Sequence, residues 1–233
     1  MTWTDLAKTA GVLIGCVLAG CTTGPLPIVI YDSEQQTVWI QFDPHAGSGH
    51  SHPFSLAPEQ IATLLNGVRI RGRDVVGGFG LFSEKNSHPA FSLPQTAALA
   101  PYLSQALKKA SSQDMVTFYL VAYDLNRSPL VTSGGVFVRN DHLYMILANA
   151  RTSPSGNQYE TVYEPDTKDQ PLLPIARFKF VAGFSPREAW IATKEALKAD
   201  GYPDYVDDSK LVVISLSRLF AQGDQPRVTS PTK

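Results

Sequence analysis

Cysteine is nearly missing from this chain. Of 233 residues only Cys16 and Cys21 carry a thiol, so nothing from Thr22 onward can form a disulfide, act as a cysteine nucleophile or offer a thiolate to a metal. A surplus of charge is missing as well: 20 Lys and Arg against 21 Asp and Glu give a formal net charge of -1 and a pI near 6.5. Taken over the whole chain, that balance gives no electrostatic reason to expect a nucleic acid or an anionic lipid surface as partner. Long apolar runs are scarce, and the clearest, Thr9 to Ala19, is too short to span a bilayer comfortably. Recognisable catalytic signatures are absent too. Ser48, Ser51 and Ser133 lie outside any Gly-x-Ser-x-Gly elbow, and Gly77-Gly78-Phe79-Gly80 lacks the Gly-Lys-Ser/Thr ending of a phosphate-binding loop. Asp207-Asp208-Ser209 lacks the regularly spaced oxygens of a calcium loop.

What is present begins at the amino terminus. Thr9 to Ala19 has the length of a signal-peptide apolar core and leads into Leu18-Ala19-Gly20-Cys21, followed at once by Thr22, Thr23, Gly24, Pro25 and Pro27. A buried core helix is the other reading of such a run, but no polar face interrupts it. The segment resembles the lipobox of bacterial lipoproteins, although Asp5 beside Lys8 leaves its first residues without the usual positive surplus. The resemblance implies cleavage before Cys21, a covalent lipid on that cysteine and a membrane-held protein in the cell envelope. In a Gram-negative host, Thr22 rather than Asp after the cysteine implies the outer membrane, facing the periplasm. Residues 1–20 are then signal peptide, 21–26 a lipidated tether, 27–220 a single α+β domain and 221–233 a disordered tail.

Within the domain, Ile28 to Tyr31 and Val38 to Phe42 read as a hairpin, and Asp43 to Pro53 as a Gly-, Ser- and His-rich loop. A helix opens at Pro58-Glu59-Gln60 with the stripe Ile61, Leu64, Leu65 and Val68, and is expected to stop at Gly67. A second opens at Ser92-Leu93-Pro94-Gln95 with capping-box spacing, and Pro101 should kink or restart it. Val116 to Tyr123 is a strongly apolar strand. Gly135 to Arg139 and His142 to Leu147 alternate about Asn140-Asp141, a two-residue turn, and should form the middle of the sheet. Ser133-Gly134-Gly135 suits a bulge or a close backbone approach. Gln158 to Glu164, Ile175 to Val181 and Leu211 to Leu216 complete the strands. Ser185-Pro186-Arg187-Glu188 has the chemistry of a third helix start, with the helix carrying Trp190, Ala196 and Leu197 to Gly201. Trp39, Phe42, Tyr119, Phe137, Phe178 and Phe180 fall in strand-like runs where core packing is expected. The class is α+β, a mainly antiparallel sheet of hairpins with about three helices packed on it.

His52-Pro53-Phe54-Ser55-Leu56 and His88-Pro89-Ala90-Phe91-Ser92-Leu93 are similar stretches before proline-started helices, and chance reuse of helix-entry chemistry accounts for them as readily as duplication. The sharpest chemical suggestion is His45, His50 and His52 in one loop, with Asp43 as an added carboxylate. Imidazoles suit zinc, copper or nickel, yet spacing alone does not make a site, and solvated loop histidines are the plainer reading. HPFSLAPEQI and TSGGVFVRNDHLYMILAN also resemble stretches of uncharacterised proteobacterial envelope lipoproteins, which implies no activity. Three classes stay open: a non-catalytic module that binds an envelope protein partner or supports assembly; a metal-assisted hydrolase or metal-binding protein using His45, His50 and His52; and a small-ligand carrier. No cofactor beyond the Cys21 lipid or such a transition metal is suggested, and no nucleic-acid partner.

Overall fold

The computed structural model describes residues 25–72, 87–153, 168–175, 180–200 and 209–221. The lipobox, Gln158 to Glu164, Phe178, the glycine-rich stretch after Gly72 and the tail from Gln222 lie outside the described residues.

Seven strands form an antiparallel sheet in the order β1-β2-β5-β6-β7-β10-β9. They are β1 (Ile28–Asp32), β2 (Gln36–Phe42), β5 (Asp114–Tyr123), β6 (Pro129–Arg139), β7 (His142–Thr152), β9 (Trp190–Ile191) and β10 (Leu211–Ser215). The hairpin expected around Asn140-Asp141 stands in the middle: Arg139 pairs with His142, and Asn140 takes a φ of 51°, a left-handed conformation that asparagine tolerates. A smaller sheet, β4-β3-β8, joins β4 (His88–Pro89), β3 (Val68–Gly72) and β8 (Phe180–Phe184). Among the described residues the helices are α1 (Pro58–Gly67), α2 (Leu93–Lys109), α3 (Thr193–Asp200) and α4 (Leu216–Ala221). The α+β class is therefore as the sequence indicates.

Strand alternation divides the apolar residues between two sheet faces. Val38 and Ile40, Val116, Phe118 and Leu120, Val136 and Val138, and Val212 and Ile214 point to one face. There they meet Ile61, Leu64 and Leu65 of α1, Leu99, Leu103 and Leu107 of α2, and Phe184 of the small sheet. Met115, Phe137, Tyr144, Leu211 and Val213 point to the other, where Ala196 and Leu197 of α3 cover them. Burial on both faces explains why Val136, Phe137 and Val138 of β6 are apolar without alternation.

Close approach at the centre of the sheet requires glycine. A Cβ on Gly134 would stand 1.9 Å from the Ile146 carbonyl oxygen, at a point where the β6–β7 register shifts. Gly67, at the end of α1, lies against the Phe184 ring, which a Cβ there would meet at 2.3 Å.

Three local expectations are corrected. Pro101 does not restart α2, which runs unbroken from Leu93 to Lys109. Pro101 and Ala97, the residue four before it, are both exposed, so the missing hydrogen bond falls where water can replace it. The helix expected from Ser185 is instead one 3-10 turn, Arg187–Ala189, followed by β9, and α3 starts only at Thr193. Trp190 and Ile191 pair with Ile214 and Val213, so sheet formation by two good strand residues overrides the capping chemistry upstream. Finally, Phe42 is 43% exposed rather than core: it is the last residue of β2, paired with Asp114 at the end of the sheet.

Candidate functional site

The loop from Asp43 to Pro53 closes one end of the large sheet. Asp43 donates its backbone N–H to the Gln113 carbonyl at 2.9 Å, His50 to Ser112 at 2.7 Å and Ser51 to Val138 at 2.7 Å, which ties the loop to the start of β5 and the end of β6. Gly47 and Gly49 take φ values of 58° and 102°, conformations that glycine reaches without strain. The result turns His50 and His52 inward.

His50 lies between a carboxylate and a guanidinium. Its Nε2 is 2.9 Å from Asp43 Oδ2, and its Nδ1 accepts from Arg139 Nε at 3.3 Å. Accepting at Nδ1 makes Nε2 the protonated nitrogen, which donates to Asp43. The other Asp43 oxygen accepts the His45 backbone N–H at 2.8 Å, and Arg139 Nη2 donates to the Ala46 carbonyl. Asp43, His50 and Arg139 are all at least 95% buried. Opposite charges with an imidazole between them keep this buried group electrically balanced while joining the loop to the last residue of β6. The His50 ring also lies 4.3 Å from Phe137, which stacks on Tyr144 at 4.8 Å and 6°, so it continues the aromatic packing of the second core.

His52 has a different task. Its Nε2 accepts the Val138 backbone N–H at 3.0 Å, so the proton resides on Nδ1, which is buried without a hydrogen-bond partner. Burial, and then the neighbouring His50, lower the His52 pKa from 6.5 to about 4, with Asp114 pulling weakly the other way. His52 is therefore neutral at pH 7.

His45, in contrast, is exposed. The structure thus brings His50 and His52 together, with ring centroids 5.8 Å apart, and sets Asp43 beside His50, but it does not gather the three histidines around one point. Among the described residues no group of three or more His, Cys, Asp or Glu has the geometry to hold a metal ion. A metal at His52 Nε2 would have to displace the Val138 hydrogen bond, and one at His50 would compete with Asp43 or Arg139. The two His-Pro stretches also part company here, since His52 is buried and His88 exposed.

Sequence reasoning did not single out Arg139 or Asn149. Asn149 donates Nδ2 to Ser133 Oγ and to the Leu173 carbonyl, both at 2.9 Å, and accepts the Ile175 N–H at 2.9 Å, which clamps residues 168–175 over the second face. A signal for Arg139 existed: it is the last residue of its strand and the strand's only charged one, directly after Val136-Phe137-Val138. For Asn149 the signal was a lone amide in a strand buried on both faces.

Of the eight exposed large apolar side chains among the described residues, all but Leu172, which lies against Gly135 of β6, collect at the two ends of the large sheet. At the loop end, Leu26 is 89%, Ile28 56%, Val29 57% and Phe42 43% exposed. Ile28 pairs with Ile40, so Leu26 continues alongside Phe42. At the far end, Leu93, Tyr123 and Leu125 are 75%, 59% and 103% exposed. Leu125 stands on an ordered turn, where Asp124 Oδ1 accepts the backbone N–H of both Asn126 and Ser128 at 2.8 Å.

No protein-family model matches the chain, and neither a curated protein nor a solved structure matches it. No helix among the described residues is long and apolar enough to cross a membrane.

Proposed function

We propose that this protein is a lipoprotein of the bacterial cell envelope, lipidated at Cys21, held at the periplasmic face of the outer membrane, and working there as a non-catalytic partner-binding or assembly module. The anchor rests on the Leu18-Ala19-Gly20-Cys21 lipobox. The observation that carries the binding role is the polarity of the exposed apolar residues. One set lies at the sheet end from which the chain leads back to Cys21, and Leu93, Tyr123 and Leu125 lie at the opposite end. A leucine fully exposed on a hydrogen-bonded turn is already ordered before a partner arrives, which lowers the entropic cost of binding.

The test is photo-crosslinking in cells, with a light-activated residue at position 93 or 125 in the membrane-bound protein. One discrete envelope protein is expected from both positions, and its purified form should bind the wild type but not Leu125→Asp. The adduct should weaken in Cys21→Ser, which is not lipidated. No adduct at either position, alongside stoichiometric zinc or nickel uptake abolished by His50→Ala and His52→Ala, would overturn the binding role in favour of metal chemistry.

A further inference from the structure

We infer that the loop end of the large sheet is a membrane-facing surface that rests on anionic lipid headgroups, so that the domain stands on the bilayer with Leu93, Tyr123 and Leu125 pointing away. This inference rests on the anchored reading above and adds an orientation to it. The strands define the geometry. Ile28 pairs with Ile40, which in turn pairs with Val116, and Phe42 pairs with Asp114. Leu26, Ile28 and Phe42 therefore share the end of the sheet at which α2 finishes and the chain turns into β5. The last turn of α2 brings Lys108 and Lys109 to that same end, both exposed.

Four carboxylates share this end with the lysines: Asp141, exposed in the β6–β7 turn, is on the opposite side of β5 from β1 and accepts from Ser215 and Ser217, Glu59 is exposed in the first turn of α1, and the acids of the loop and of β5 are covered. Asp43 is buried against His50, and Asp114 is half-buried and accepts the Ser111 N–H at 2.8 Å. Lys108 and Lys109 thus form a cationic pair on the β1-β2-β5 side of this end, the side that carries the exposed leucine, isoleucine and phenylalanine, while Asp141 stands on the β6-β7 side. Lysine near an anionic headgroup with apolar side chains entering the interface is the combination that holds a protein on a bilayer surface. The tether sets the reach: only Thr22, Thr23 and Gly24 separate Cys21 from Pro25, a span of about 15 Å at most when extended. A diacyl chain on Cys21 would keep this end within reach of the headgroups, which does not hold for the far end of a sheet built on strands as long as β6.

The orientation is read by quenching with brominated acyl chains. Phe42→Trp and Leu125→Trp are each prepared in the lipidated protein, with the wild-type tryptophan signal subtracted, in vesicles of phosphatidylethanolamine and phosphatidylglycerol. The Phe42→Trp signal should be quenched about twofold or more, and that of Leu125→Trp left unchanged. For the lipid-free Cys21→Ser protein, Lys108→Glu/Lys109→Glu should weaken partitioning onto these vesicles by about tenfold or more, since one lysine near such a surface is worth on the order of fivefold. Vesicles of phosphatidylcholine alone should show no such difference. Equal quenching at both positions, quenching at Leu125→Trp alone, or partitioning indifferent to both lysine charge and lipid charge would overturn the proposed face. Mass spectrometry of membrane-extracted protein tests the anchor separately. If Cys21 carries no lipid, the anchored reading fails, while the lysine-reversal result still decides the face.

Discussion

His52 and Asp43 carry the residue-scale consequences of the loop. With a folded pKa of about 4 and an unfolded value near 6.5, His52 binds more protons in the unfolded chain throughout that interval. Its contribution to stability is therefore full above about pH 6.5, falls as pH drops towards 4, and levels off below. The expected loss is about 2–4 kcal/mol, measured as urea unfolding free energy against pH. In His52→Gln that part of the slope should be missing, so the difference between the two profiles isolates it from the carboxylates. Asp43→Asn removes the negative member of the Asp43–His50–Arg139 group and leaves the Arg139 charge buried without it. A loss of about 3 kcal/mol is expected at pH 7, and an unchanged unfolding midpoint would mean that water or another carboxylate takes over. Both effects concern stability, because these side chains are directed into the protein.

At the scale of elements, the sheet is the demanding partner. Gly134 admits the Ile146 carbonyl so closely that no side chain fits without moving β7. Gly134→Ala is expected to cost about 3 kcal/mol or more, seen as a lowered urea midpoint or loss of soluble protein. A shift below about 0.5 kcal/mol, typical of surface positions, would show that β6 and β7 separate easily there. The same dominance of pairing explains β9. Ser185-Pro186-Arg187-Glu188 was readable as a helix start because capping is local, but the pull on Trp190 and Ile191 comes from β10, more than twenty residues later. Where the competing force was also local, reading succeeded. Ser92 caps α2 with its Oγ 3.4 Å from the Gln95 N–H, while Gln95 Oε1 accepts from the Ser92 N–H at 2.8 Å, as the spacing indicated.

For the whole molecule, the decisive property is polarity along the strands. The loop end carries Leu26, Ile28 and Phe42 with Lys108 and Lys109, and the other end carries Leu93, Tyr123 and Leu125. In the proposed reading these are the membrane side and the partner side. Changes at one end should therefore leave the other readout intact: Lys108→Glu/Lys109→Glu should alter lipid partitioning without abolishing the crosslink at Leu125, and Leu125→Asp the reverse. Loss of both readouts from either variant would mean that the two ends do not act as separate surfaces.

The sequence by itself determined the α+β class, the central hairpin about Asn140-Asp141, the two helix starts at Pro58 and Ser92, and the exclusion of disulfides beyond Cys21. Each follows from side-chain alternation, turn or cap chemistry, or composition, all of which act over a few residues or need no fold at all. Only the tertiary structure decided that His50 and His52 turn inward while His45 stays in solvent, that Arg139 closes the buried charge group, and that Trp190 joins a strand. Those outcomes depend on groups far apart in the chain: His50 and Arg139 are 89 residues apart, and His52 and Val138 are 86. Burial is a property of the assembled layers, so three histidines that look alike within one loop acquired different environments only when that loop closed over the sheet.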